Sequence, residues 1–104
     1  MASVAIEIPE ARLKAFCEKW GIRKLELFGS VLREDFGADS DVDVLATFAP
    51  DAALSLFDLV GAELELQDIF GRPVDLLDRS SVEHSENWIR RRRILESART
   101  IYVR

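Results

Sequence analysis

A glycine-serine turn and a pair of aspartates lie beside two strand-like runs in this sequence. The run 24–28 leads into Gly29-Ser30, and after ten further residues Asp41 and Asp43 open the second run. Because successive side chains of a strand point to opposite faces, Asp41 and Asp43 share one face. The pattern predicts a small turn and two carboxylates side by side, which is what a metal-bound nucleoside triphosphate needs.

A third strand-like segment, 73–77, carries another aspartate. Alternation places Val74 and Leu76 in the core and Asp75 on the opposite face. If this strand neighbours the second one, three carboxylates converge. Two carboxylates about 4 Å apart repel by roughly 4 kcal/mol at an effective dielectric of about 20, and oxygen-seeking divalent cations remove that cost. The alternative for the first two acids is an Asx-type turn followed by a solvent-facing strand residue.

The spacing G-S-x(10)-D-x-D, with a further aspartate on a later strand, resembles the nucleotidyltransferase signature of the DNA polymerase β superfamily. The short chain resembles the minimal nucleotidyltransferases that are the antitoxin partners of HEPN-domain toxins. This resemblance implies an α/β fold with a polymerase β-like core, a mixed sheet with helices on one face. It also implies that Asp41, Asp43 and Asp75 are catalytic residues and metal ligands, for two Mg²⁺ ions.

The resemblance further implies that Gly29 and Ser30 hold the β- and γ-phosphates of ATP. A glycine lets the backbone approach a phosphate closely, and Ser30 adds a hydroxyl donor. The alternative for this dipeptide is an ordinary strand-to-helix turn with Ser30 as N-cap. Arg33, about one helical turn after Ser30, is a candidate phosphate ligand, and its alternative is a solvated surface arginine.

Size and composition narrow the class of protein. A chain of 104 residues predicts a single domain spanning 1–104. It shows no secretory signal and no apolar run near the about 18 residues of a membrane span. The lone Cys17 suits a reducing compartment, so we expect a cytoplasmic protein with no membrane partner.

Charge bears on the kind of partner. The net charge of −5 argues against direct nucleic-acid binding, which usually needs a basic face. The run from Arg90 to Arg93 is a local basic exception. Three interpretations of it stay open, namely a solvated helix face, contact with nucleotide phosphates, and contact with an acidic patch on a partner.

Local patterns predict the element order α-β-α-β-α-β-α, which fits an α/β domain. A broad apolar stripe predicts a helix over 52–70 that ends at Gly71. A last helix is expected to begin after Ser81 or Ser85, and 101–103 is a candidate terminal strand.

The implied reaction is transfer of AMP from ATP to a hydroxyl acceptor, with pyrophosphate as the leaving group. In the resembled antitoxins the acceptor is a tyrosine of the HEPN toxin, so the expected partners are a HEPN-type toxin and a nucleoside triphosphate. The chain has no room for the second domain that holds acceptors in larger relatives. Two alternatives stay open: a non-catalytic antitoxin module acting by occlusion, and a homodimeric nucleotidyltransferase for small molecules.

Overall fold

The computed structural model describes residues 8–29, 41–52 and 54–104, which form an α/β unit. Two of the predicted phosphate ligands, Ser30 and Arg33, lie outside the described residues. Along the described chain the helices and strands are α1 (Glu10–Trp20), β1 (Ile22–Phe28), β2 (Val42–Phe48), α2 (Leu56–Phe70), β3 (Val74–Asp78), α3 (Arg79–Glu83), α4 (Trp88–Ser97) and β4 (Arg99–Val103). No described helix is both long enough and apolar enough to span a bilayer.

The strands form one sheet in the order β3-β2-β1-β4. β1 is antiparallel to β2 and to β4, whereas β2 and β3 are parallel. The predicted mixed sheet is therefore confirmed. β2 and β3, the two strands that carry the predicted acids, are direct neighbours. The convergence of their carboxylates requires this arrangement.

Helices α1 and α2 pack on one face of the sheet and form the main core. The apolar spacing of α1 buries Leu13, Phe16 and Cys17, and α2 contributes Ala62 and Leu66. Burying one large apolar side chain contributes about 1.5–3 kcal/mol. The sheet side of this core consists of inward residues of β1, β2 and β3, namely Ile22, Leu25, Leu27, Val42, Val44, Ala46, Val74 and Leu76.

Local capping chemistry sets the limits of α2. The helix begins at Leu56 and not near 52, because Ser55 and Asp58 form a reciprocal capping box that satisfies the first free N–H groups. It ends at Gly71, as predicted, and that residue adopts the left-handed conformation at φ 68°.

The other face of the sheet carries a second, smaller layer. The prediction of one last helix starting at Ser81 or Ser85 is wrong, because Asp78 caps α3 and Asn87 caps α4. Phe28, Leu45, Val82 and Ile94 form a separate buried cluster there. Helices α1 and α2 thus cover one face, as expected. Helices α3 and α4 also cover part of the face that carries the acids.

Candidate active site

Three aspartates lie at one end of the partly covered face. Asp41 directly precedes β2, Asp43 is its second residue, and Asp75 is the second residue of β3. Asp43 and Asp75 are register partners on neighbouring parallel strands, so their side chains leave the sheet on the same side. Asp41 and Asp75 are exposed, and Asp43 is partly buried. The structure therefore places the three predicted acids along two adjacent strands.

The strand interior explains why the acids face outward. Val42, Val44, Val74 and Leu76 are buried in the main core between the sheet and α2. Since alternate side chains point to opposite faces, the residues between them must point away from that core. A one-residue slip of either strand would bury a carboxylate and expose a valine, so the hydrophobic pattern fixes the position of the acids.

Gly29 lies directly against the Asp43 carboxylate. β1 ends at Phe28, which is the register partner of Asp43, and Gly29 follows at φ 75°. A Cβ at position 29 would overlap the Asp43 Oδ2 atom and would lie 3.3 Å from its Cγ. Both the backbone conformation and the close approach require a glycine here. The Gly29 backbone and the Asp43 carboxylate therefore form one continuous surface.

The donor chemistry of this surface suits a hard divalent cation, since Mg²⁺ prefers carboxylate oxygens completed by waters and phosphates. Within residues 8–29, 41–52 and 54–104, however, no group of three or more His, Cys, Asp or Glu side chains is already gathered as a metal site. The residues fit the ion by type and by the glycine-lined space beside Asp43. Gathering all three acids on one ion would need their side chains to move.

A buried ion pair lies farther along the same face. Glu26 is only 4% exposed, and its carboxylate accepts a hydrogen bond from the Arg79 guanidinium of α3. Arg79 also donates to Glu83 Oε2 at 3.1 Å, and Lys24 Nζ lies 3.8 Å from Glu26. Burial lowers the pKa of Arg79, but hydrogen bonds to both glutamates and their charges outweigh it and raise that pKa above its ordinary value.

Sequence reasoning did not single out this ion pair. Glu26 lies between two leucines of a predicted strand. This position is the one signal that could have indicated a buried, paired charge. The cation that pairs with it is 53 residues away in sequence. Nothing in the local pattern indicates which of the chain's many arginines that is.

The predicted phosphate ligands have separate outcomes. Gly29 lies beside the acids, as the turn prediction required. Ser30 and Arg33 fall outside the described part of the chain, so their proposed roles stay predictions.

The family model described as "Nucleotidyltransferase domain" matches residues 10–101. The protein adenylyltransferase MntA of Thermococcus cleftensis is 34% identical over 87 residues, which cover 80% of this chain and 86% of the relative.

Solved structures give the same assignment of the fold. A structure described as a minimal nucleotidyltransferase superimposes with a TM-score of 0.65 at 29% identity, covering 86% of this chain and 85% of that one. A toxin–antitoxin structure with AMP-PNP gives a TM-score of 0.69 at 15% identity, covering 93% of this chain and 75% of that one. At that identity the second match shows the fold alone.

Proposed function

Because this chain belongs to the nucleotidyltransferase domain family, we propose that it moves AMP from Mg²⁺-bound ATP to a hydroxyl group of a partner protein. The proposed partner is a HEPN-type toxin, the proposed acceptor is a tyrosine, and the chain would act as its antitoxin. The observation that supports this most is the register of Asp43 against Asp75 with Gly29 closed onto the Asp43 carboxylate.

The proposed roles of the acids follow from their positions. Asp41 and Asp43 lie two residues apart on one face and would hold the ions together, with Asp75 on the neighbouring strand completing the set. When bound, Mg²⁺ would supply charge neutralisation for the attacking and leaving oxygens. Gly29 would let the polyphosphate pass close to the backbone beside Asp43.

The proposed reaction is a displacement at the α-phosphorus of ATP. The acceptor oxygen forms a new P–O bond, the bond from the α-phosphorus to the bridging oxygen breaks, and pyrophosphate leaves with that electron pair. Asp75 is exposed at the edge strand, where an acceptor can reach it, and we assign it to take the hydroxyl proton.

The accessibility of Asp75 favours a protein acceptor. The sheet has β3 at one edge, beside the acids, and no described element covers Asp75. A folded partner could therefore present a hydroxyl directly to Asp75. The relatives named as protein adenylyltransferases support the same acceptor class.

The first test is nucleotide binding with and without Mg²⁺. Calorimetry should show tight ATP binding in Mg²⁺ and weak binding in EDTA, because the aspartates repel an unscreened triphosphate. Equal affinity in both buffers would rule out the metal-bridged arrangement.

The second test separates catalysis from occlusion. The chain is mixed with the protein encoded beside it, the proposed HEPN toxin, together with ATP and Mg²⁺, and the activity of that toxin is measured for the wild type and for Asp75→Asn. We expect the variant to form the complex but not to silence the toxin durably. Full silencing by Asp75→Asn, with no modified toxin, would instead establish a binding module that works by occlusion.

A further inference from the structure

A large polar cavity borders Gly29. Its volume is about 800 Å³, and Phe28 and Gly29 form one wall of it. The opposite wall is the end of α4 and the start of β4, with Arg93, Glu96 and Arg99 among its lining residues. Gly29 also lies against the Asp43 carboxylate, so one residue borders both this cavity and the acid site.

The two arginines of this wall have charges that the described protein does not neutralise. Arg93 and Arg99 are both exposed, and neither has a salt bridge to any described residue. The neighbouring Arg92, in contrast, is paired with Glu96 at 3.0 Å. That pairing also compensates Glu96, the one carboxylate among the described residues that line the cavity.

The Arg90–Arg93 run therefore divides by its surroundings. Arg90 and Arg91 border a different cavity, of about 240 Å³, between α3, α4 and β3. Arg91 donates to the Ser85 carbonyl oxygen at 3.1 Å. Only Arg93 of the four is among the described residues that line the cavity beside Gly29.

We infer that Arg93 and Arg99 bind the β- and γ-phosphates of the nucleoside triphosphate and make the site selective for triphosphates. This inference rests on the proposed function. An α-phosphate held beside Asp43 would leave the β- and γ-phosphates near Gly29. The cavity that Gly29 borders presents two guanidinium groups that form no salt bridge with any described residue. Guanidinium groups bind phosphate oxygens through paired, charge-assisted hydrogen bonds.

The geometry also accounts for how an acidic protein accepts a polyanion. The metal ions would neutralise the aspartates at one end of the substrate. At the other end, Arg93 and Arg99 would neutralise the β- and γ-phosphates. If the two arginines contact only the β- and γ-phosphates, removing them should weaken the binding of ATP but not of AMP.

The test compares Arg93→Gln/Arg99→Gln with the control Arg90→Gln, which removes one positive charge from α4 at a residue that borders the other cavity. Calorimetry with ATP and with AMP, both in Mg²⁺, measures the dissociation constants. We expect the double variant to bind ATP at least about tenfold more weakly, as expected for the loss of a hydrogen bond between charged groups. Its AMP affinity should stay near the wild-type value, and Arg90→Gln should change neither.

A second double variant, Arg93→Lys/Arg99→Lys, keeps the charge but loses the paired hydrogen bonds. Its ATP affinity should therefore lie between those of the wild type and the double Gln variant. A wild type that binds ATP together with an unchanged double Gln variant would overturn this inference and leave the proposed function intact. Equal losses for ATP and AMP would overturn it too. Unchanged ATP affinity with weakened toxin binding would assign the arginines to the partner. A wild type that neither binds ATP nor transfers AMP would instead overturn the proposed function itself.

Discussion

One face of the sheet carries carboxylates in two very different settings. At one end Asp41 and Asp75 are exposed and Asp43 lies against Gly29. Farther along the same face, Glu26 is buried beneath α3 and paired with Arg79. Where a fixed cation neutralises a carboxylate, that carboxylate serves the fold. Where carboxylates lie together at an accessible edge, they are placed to meet a ligand.

The difference has an energetic basis. A buried charge needs a permanent partner, since removing that partner costs several kcal/mol. An exposed carboxylate such as that of Asp75 is hydrated and can bind a cation from solution. The following variants test whether the two settings really divide chemistry from stability.

The largest effect should come from the acid edge. Asp41→Asn and Asp43→Asn remove the negative charges that would hold the ions, so each should lower AMP transfer by at least about a hundredfold, the lower end for a positioned catalytic group. The melting temperature should stay at or above that of the wild type, because neighbouring like charges are removed. Transfer of label from radioactive ATP, measured beside a thermal melt, checks both. Unimpaired transfer in the double variant would place the site elsewhere.

The buried pair should show the opposite pattern. Arg79→Met leaves Glu26 buried without its main partner and should lower the free energy of unfolding by about 3 kcal/mol. The control Arg92→Met breaks an exposed pair four residues apart and should cost about 0.5 kcal/mol or less. Urea unfolding measures both. At a temperature where it is folded, Arg79→Met should still transfer AMP. A folded but inactive Arg79→Met would show that the buried ion pair is needed for catalysis as well as for stability.

A pair of glycine variants sharpens the account of the turn. Gly29→Ala and Gly71→Ala both place a Cβ at a positive φ, with a strain of about 1–2 kcal/mol. Position 71 has no atom within 4 Å of that Cβ, whereas at position 29 it overlaps the Asp43 carboxylate. We therefore expect only Gly29→Ala to impair ATP binding. Similar binding by both variants would mean that the close approach to Asp43 has no role.

The smallest effect concerns the core on the other side of the sheet. Burial raises the pKa of the Cys17 thiol to about 12 from 9.0. Between these two pKa values the unfolded thiol ionises while the folded thiol stays protonated. The contribution of the buried thiol to the free energy of unfolding is therefore fully present below pH 9 and is lost between pH 9 and 12. Below pH 9 the wild type and Cys17→Ala should show the same slope of stability against pH. Above it the wild type should fall more steeply, and parallel curves throughout would show that the thiol is not desolvated.

Much of this architecture follows from local sequence signals. Alternation in 42–48 and 73–77 correctly predicted which side chains face the core, because a strand must keep its valines buried. The glycine at position 71 correctly predicted a helix end. Local signals failed at Ser81 and Ser85, because the actual caps, Asp78 and Asn87, divide the segment into two helices.

The non-local features could not be read in the same way. The pairing of Glu26 with Arg79 and the cavity between Gly29 and Arg93 both depend on where α3 and α4 pack. Periodicity locates the apolar side of a helix but not the strand it will cover. The sequence alone therefore supports three interpretations of the run Arg90–Arg93, and only the packing of α4 gives its members different surroundings.

The proposed modification can be measured directly on the partner. The chain is incubated with the protein encoded beside it, the proposed HEPN toxin, together with ATP and Mg²⁺. The intact mass of that protein is recorded for the wild type, for Asp43→Asn and for the control Arg12→Met, which breaks an exposed ion pair with Asp68. The account predicts a mass gain of one AMP per modified site with the wild type and with Arg12→Met, located on a tyrosine by fragmentation, and none with Asp43→Asn. An unmodified toxin that the wild type nevertheless silences, or a mass gain that persists with Asp43→Asn, would contradict it.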